Sequence, residues 1–314
     1  MAHRTRATIT HTLSTRFVKM AVPAVEEFEH GGVRVHIAAG VSEGSALATV
    51  VCHGTVELDE STASVSWTVG DMPFMARGAP SGDHDAAAAR AWERIEPVLT
   101  EVGAVLRWRF GMFGDDPLWT STEMFLELDG HVVELAPLPK AVFGDDRATI
   151  GPDGLQQVAT MVGEQVRQPL AHEMWREAWN LQYRSPRSSL VIGVAAAEVG
   201  FKHLVALLVP HAESLVEHIP SPPPDVMIRK VLPDLPVRSG VAPDRLCPKH
   251  IRKALIDAVE ARNQVVHRGV PPTIHLWQTL TTTREFLYLL DWHAGHAWAE
   301  SLLSDTTRAA IRDM

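Results

Sequence analysis

Hydrophobic residues recur in this chain with two different periods, and the change falls at one place, the tetrapeptide Gly151-Pro152-Asp153-Gly154. A period of two suits a half-buried strand and a period near 3.6 suits a helix, and neither pattern can serve for the other. Before the change, Val33-Arg34-Val35-His36-Ile37, Val65-Ser66-Trp67-Thr68-Val69 and Leu106-Arg107-Trp108-Arg109-Phe110 alternate apolar with polar residues, as half-buried strands do. Only Asp85 to Val102 reads as a helix there, with Trp92, Ile95 and Leu99 at spacings of three and four and Pro97 as a kink. Residues 1–151 are therefore expected to form an α+β domain, mostly antiparallel strands plus a helix.

From residue 152 to residue 314 the helical period persists. The expected helices are Leu155 to Arg167, Ala171 to Tyr183, Ser188 to Val209, Lys249 to His267 and Thr273 to Leu303, which together make an all-α bundle. The Ser188 helix is apolar almost all round and should be the central one. In the last helix Leu276, Leu280, Thr283, Leu287 and Leu290 form a packing seam. Eight prolines between Ile219 and Pro248 exclude a continuous helix there, beyond a short one from Val226 to Leu232. That segment is either a functional loop or a disordered insertion.

The net charge of -9 belongs wholly to the first half, which has 12 basic and 21 acidic residues against 17 of each in the second. A neutral helical half can still focus positive charge locally, as a phosphate site requires. Two cysteines, Cys52 and Cys247, give no disulfide framework, so a cytoplasmic location is expected. Residues 1–25 hold Arg4, Arg6, Arg16 and Lys19 and no acid, but they lack the apolar core of a secretory signal and resemble only an organellar leader. The longest apolar stretch, Leu190 to Val209, contains Glu198, Lys202 and His203, which argue against a membrane span.

Common catalytic signatures are missing. Gly193 to Lys202 lacks P-loop spacing, His172-Glu173 lacks the second histidine of a metalloprotease helix, and no nucleophile elbow or dinucleotide fingerprint occurs. Asp291, His293 and His296 are close enough in sequence to suggest a metal, but one helix cannot close a tetrahedral shell and the adjacent Trp292 and Trp298 suggest packing. Phe-Gly-Asp-Asp occurs at Phe113 and again at Phe143, where aspartates suit turns.

The informative segment is Arg262-Asn263-Gln264-Val265-Val266-His267, at the end of an amphipathic helix closed by Gly269. Three other Arg/His pairs share its spacing, Arg6/His11, Arg167/His172 and Arg245/His250. The first lies in the polar leader and each of the others spans a proline, so only Arg262/His267 stays on one helix. Asn263 and His267, four apart, share a face, whereas Arg262 points about 140° away from His267. Arginine must bend round the helix, or a second copy must face it. Helix capping by positive groups at a C-terminus is the plainer use of the same residues.

This motif and its setting resemble the HEPN family, the higher eukaryote and prokaryote nucleotide-binding domains. Their signature is an arginine, usually followed by a polar residue, then a histidine after four to six positions. The likeness runs from Leu190-Val191-Ile192-Gly193-Val194-Ala195-Ala196-Ala197-Glu198 through Arg262 to His267 and on to the Leu287 to Leu303 seam, about half the chain. It implies a metal-independent endoribonuclease that needs no cofactor, takes RNA as substrate and works as a homodimer, often in toxin or phage-defence systems. His267 would be general acid or base, Arg262 the phosphate clamp and Asn263 an orienting residue. The alternative is a non-catalytic member that binds a nucleotide or a protein. The first domain, outside the likeness, would then be a sensor or bind a regulatory partner.

Two further features bear on this reading. Arg245, Lys249, Arg252 and Lys253, with His250, collect at the start of the motif helix, where they could meet RNA phosphates or simply lie solvated on the surface. Glu198, a carboxylate on an apolar helix, needs a partner, either Lys202 one turn on or Arg262.

Overall fold

A computed structural model of the chain describes residues 4–16, 19–20, 23–41, 48–59, 75–76, 82–114, 121–128, 131–136, 142–143, 149–212, 218, 222–272 and 274–312. The chain divides into two compact units, Met1–Arg167 and Gln168–Met314. The run Val65 to Val69 and the aspartates of both Phe-Gly-Asp-Asp segments lie outside the described residues.

The first unit contains β1 (Arg4–Arg16), β2 (Lys19–Met20), β3 (Ala24–His30), β4 (Val33–Val41), β5 (Ala48–Asp59), β6 (Met75–Ala76) and α1 (Gly82–Phe110). It continues with β7 (Phe113–Gly114), β8 (Ser121–Leu128), β9 (His131–Ala136), β10 (Val142–Phe143), β11 (Thr149–Ile150) and α2 (Pro152–Gly163). The main sheet has the order β3-β4-β5-β1-β8-β9-β6 with antiparallel neighbours throughout. Alternation in β4 buries Val33, Val35, Ile37 and Ala39 on one face, and Cys52, Gly54, Val56 and Leu58 of β5 continue that face. Helix α1 packs on it so closely that a Cβ on Gly54 would stand 2.4 Å from Ile95 Cγ2.

Three expectations are corrected in this unit. The basic segment that resembled a leader is β1, a central strand paired with both β5 and β8. With threonine or serine at every second position from Thr8 to Ser14 and His11 in the other register, it reads as polar although Ala7 and Ile9 are fully buried. Leu106 to Phe110 is the end of α1, not a strand. Leu106, Arg107, Trp108 and Phe110 are each at most 2% exposed, and a helix end buried on all sides has no polar face to reveal its period. The unit boundary also falls after Arg167 rather than at 151/152. Helix α2 buries Leu155, Val158 and Val162 and packs with α1 and β3, where Arg109 Nε donates to Gln157 Oε1 at 2.8 Å.

The second unit is helical: α3 (Leu170–Leu181), α4 (Pro186–Leu208), a short helix Pro224–Val226 running into a π-turn Met227–Val231, α5 (Lys249–Arg268), α6 (Leu276–Ala294) and α7 (Asp305–Arg312). As expected, α4 is central and touches α3, α5 and α6. It is the one helix among the described residues long and apolar enough to cross a membrane, and here that apolar surface meets other helices. Its glycines set the approach: a Cβ on Gly193 would meet Leu280 Cδ2 at 2.7 Å, and one on Gly200 would meet Leu287 Cδ2 at 2.5 Å.

The expected helix Thr273 to Leu303 is shorter, because it stops at Ala294. Gly295, at φ 109, donates its N–H to Trp292 O while His296 N–H reaches Asp291 O, a Schellman closure that needs the left-handed residue. The described part of the proline-rich segment is ordered against that end. Arg238 N–H donates to His293 O at 2.8 Å and Arg238 Nη1 to Ala294 O at 3.2 Å.

Candidate active site

Helix α5 carries the motif and remains helical through Arg268, with Gly269 at φ 66 as its stop. Its apolar stripe Ile251, Leu255, Ala258, Ala261 and Val265 is buried. That stripe fixes what lies beside it. Arg262, next to Ala261, is turned toward α4, where its Nη2 donates to Glu198 Oε1 at 2.7 Å. Both side chains keep about a quarter of their surface, 28% and 24% respectively. Arg262 Nε is buried without a hydrogen-bond partner among the described residues. Arg262, the more distant of the two partners that the sequence offered to Glu198, does pair with it.

Asn263 and His267 are exposed on another side of α5. Arg262 and His267 are thus not brought together within one copy, as the angle of about 140° on a straight helix requires. The basic run lies at the opposite end of α5. Lys249 and Lys253 are exposed, Arg252 is half-buried beside Cys247, and Arg245 Nε stands 3.9 Å from Asp244 Oδ2. Burial pushes the Cys247 thiol up to about 12 against the pull of Arg252, so it is an inert thiol. Eighteen residues separate Lys249 from His267, roughly 27 Å along the helix, so one phosphate cannot touch both.

Of Asp291, His293 and His296, His293 turns away from the other two. His293 is fully buried, its Nε2–H donates to Leu246 O at 2.7 Å, and its Nδ1 accepts from the Ser239 hydroxyl at 2.8 Å. Burial lowers its pKa to about 4, so the ring is neutral and both nitrogens are engaged. It fastens the proline-rich segment to α6. Among the described residues no group of three or more His, Cys, Asp and Glu is placed to hold a metal ion.

Compared with protein-family models, curated proteins and solved structures, the chain gives no significant match.

A second constellation could not have been found from sequence. His172 Nε2–H donates to Asp291 Oδ2 at 2.8 Å across 119 positions, with both groups buried, and the His172 ring lies 4.8 Å from Tyr288. His203 and His296 complete a cleft walled by Leu204, Leu287, Leu290 and Ala294. Desolvation lowers both of these histidines, and the Asp291 carboxylate pulls them the other way. Burial disfavours the charged form of His203 and His296, which leaves these two rings poorly suited to hold a phosphate. On the sheet of the first unit, His36 and His53 sit opposite each other with rings 5.4 Å apart, and Thr10 Oγ1 shares a 2.8 Å hydrogen bond with His53 Nδ1.

Proposed function

We propose that the chain is a metal-independent endoribonuclease of HEPN type whose site is completed by a second copy. The observation that carries this reading is the placement of the motif. Arg262 is held by Glu198 of the central helix α4, while Asn263 and His267 stand exposed near the end of α5. Two copies facing each other at these ends bring a histidine of one toward an arginine of the other, which a single copy does not achieve.

In the proposed reaction the 2′-hydroxyl of RNA attacks the adjacent phosphorus. One His267 accepts the hydroxyl proton, the bond from phosphorus to the 5′-oxygen breaks, and the leaving oxygen is protonated by the other His267. Arg262 balances charge that grows on the phosphoryl oxygens, and Glu198 keeps its guanidinium in place. The products are a 2′,3′-cyclic phosphate and a 5′-hydroxyl. Lys249 and Lys253, far along the helix, act only on an RNA long enough to follow α5.

The test is a denaturing gel of RNA incubated with the purified protein in excess chelator. Cleavage should persist, DNA should be spared, and His267→Ala and Arg262→Ala should each abolish it while the fold survives. Wild-type activity in either variant refutes the assignment, and activity that returns only with zinc or magnesium replaces it with metal-activated water. The carboxylate already bound to Arg262 favours one other reading, a non-catalytic module that binds a nucleotide or a protein. Undetectable cleavage by the wild type under all these conditions selects it.

A further inference from the structure

The end of the bundle that holds His267 also collects exposed aromatic rings and exposed arginines. Ser189 Oγ donates to Ala178 O at 2.6 Å and Trp175 Nε1 to Leu280 O at 2.7 Å, so the last turn of α3, the first of α4 and the first of α6 lie at one level. Leu190 of α4 packs in one cluster with Ala261 and Val265 of α5, against Ile274 and Leu276, which adds the last turn of α5 to that level.

On this end stand Tyr183, 84% exposed, and Trp277, 57% exposed. Trp277 continues a row of rings, 6.5 Å from Trp179, itself 5.4 Å from Trp175. The row is rooted in the core by the Trp175 hydrogen bond, so its outermost ring is held rather than loose. Arg184 and Arg187, one and four positions after Tyr183, are exposed and make no ion pair among the described residues. Arg187 occupies the first turn of α4, where the helix dipole disfavours a cation, and neither α4 nor α6 places an acid in its first turn. Exposed positive charge near exposed rings is the arrangement that accepts a negatively charged backbone whose bases are free to stack.

We propose that this end is a platform for single-stranded RNA. Bases stack on Trp277 and Tyr183, phosphates meet Arg184 and Arg187, and the strand is led toward His267. The direction of the strand rests on the ribonuclease reading, whereas binding rests on the rings and arginines themselves. Base-paired RNA offers no free base faces and fits poorly.

The test uses the full chain carrying His267→Ala, so that RNA stays intact, and follows the anisotropy of a fluorescein-labelled oligouridylate. Trp277→Ala and Tyr183→Ala should each weaken binding roughly 5- to 150-fold, the range expected for loss of one stacked base. Trp277→Phe should retain most of it. The double variant Arg184→Ala/Arg187→Ala should flatten the dependence of log affinity on log salt by about 1.4, since each phosphate contact on a single strand contributes about 0.7. A duplex of equal length should compete weakly.

Unchanged affinity in these variants, no binding of oligouridylate, or equal competition by the duplex overturns the platform. So does a Trp277→Ala variant that alters only the molar mass in light scattering, which would make this face a contact between copies. Both aromatic substitutions are at exposed positions, and circular dichroism checks the fold. The two readings fail separately. If the wild type cleaves RNA but the aromatic variants bind normally, the platform falls and the ribonuclease stands; binding lost in the variants of a chain that never cleaves gives the converse.

Discussion

At the scale of single residues, the pair Arg262–Glu198 and the buried His293 have separable consequences. The ion pair is only about a quarter exposed at each partner, so water screens it incompletely. A double-mutant cycle with Arg262→Met and Glu198→Gln, read by urea unfolding, should give a coupling of about 1–2 kcal/mol. A coupling near zero would mean that Glu198 does not hold the arginine. His293 gives a pH dependence of known sign. Its pKa in the fold is about 4 against an ordinary 6.5, so between those values the unfolded chain binds the proton and the folded one does not. Stability contributed by the neutral ring is complete above pH 6.5 and is lost as pH falls toward 4, by about 3 kcal/mol for this group. His53, His203 and His296, also lowered, act in the same direction. Urea midpoints measured from pH 7 to pH 4.5 should fall, and His293→Gln should make that slope shallower. A slope identical in the variant would assign the acid sensitivity to other groups.

At the scale of elements, small residues decide how closely helices and sheet approach. Gly200→Ala would place a Cβ 2.5 Å from Leu287 Cδ2 and 3.3 Å from Ala171 Cβ. The gain in helix propensity, about 0.5–1 kcal/mol, is smaller than the overpacking cost of about 1–3 kcal/mol, so a net loss near 1 kcal/mol is expected. Gly163→Ala, in a helix with nothing within 4 Å of the new Cβ, should instead be neutral or stabilising. Urea midpoints for the two variants should move in opposite directions, and a stabilised Gly200→Ala would show that α3, α4 and α6 relax more easily than their packing suggests. The motif helix presents a related lesson. Its buried stripe and its Gly269 stop were legible from 3.6-residue spacing, and with them the exposure of Asn263 and His267. The pairing of Arg262 with Glu198 was offered only as an alternative to Lys202, because a carboxylate one turn from a lysine looks satisfied locally until α4 and α5 are packed.

At the scale of the whole molecule, two expectations can be measured. Light scattering should report about twice 34.5 kDa at micromolar concentration if the proposed site is shared between copies. A strict monomer that cleaves RNA would refute a shared site. The boundary between units predicts which fragment folds. Residues 168–314 alone should give a cooperative helical unfolding transition. Extending the fragment back to residue 152 adds α2 without α1 and β3, leaving Leu155, Val158 and Val162 uncovered, so it should be less soluble. The reverse result would return α2 to the bundle.

The sequence by itself determined those features that depend on neighbours along the chain. The two periods, the switch at Gly151-Pro152, the amphipathic α5 with its glycine stop and the central apolar α4 all follow from local spacing, because backbone hydrogen bonding fixes which residues share a face. It misled where burial was complete or nearly even: the end of α1 lost its helical period between two packed surfaces, and β1 looked like a polar leader because threonines and basic residues fill it around the buried Ala7 and Ile9. Only the tertiary structure decided the pairs separated by long stretches of chain. Glu198 with Arg262, His172 with Asp291, His293 with the carbonyl of Leu246, and Trp179 with Trp277 come together because helices from distant segments pack side by side. No spacing along the sequence encodes such meetings, since each depends on which helices become neighbours and how far their glycines let them approach.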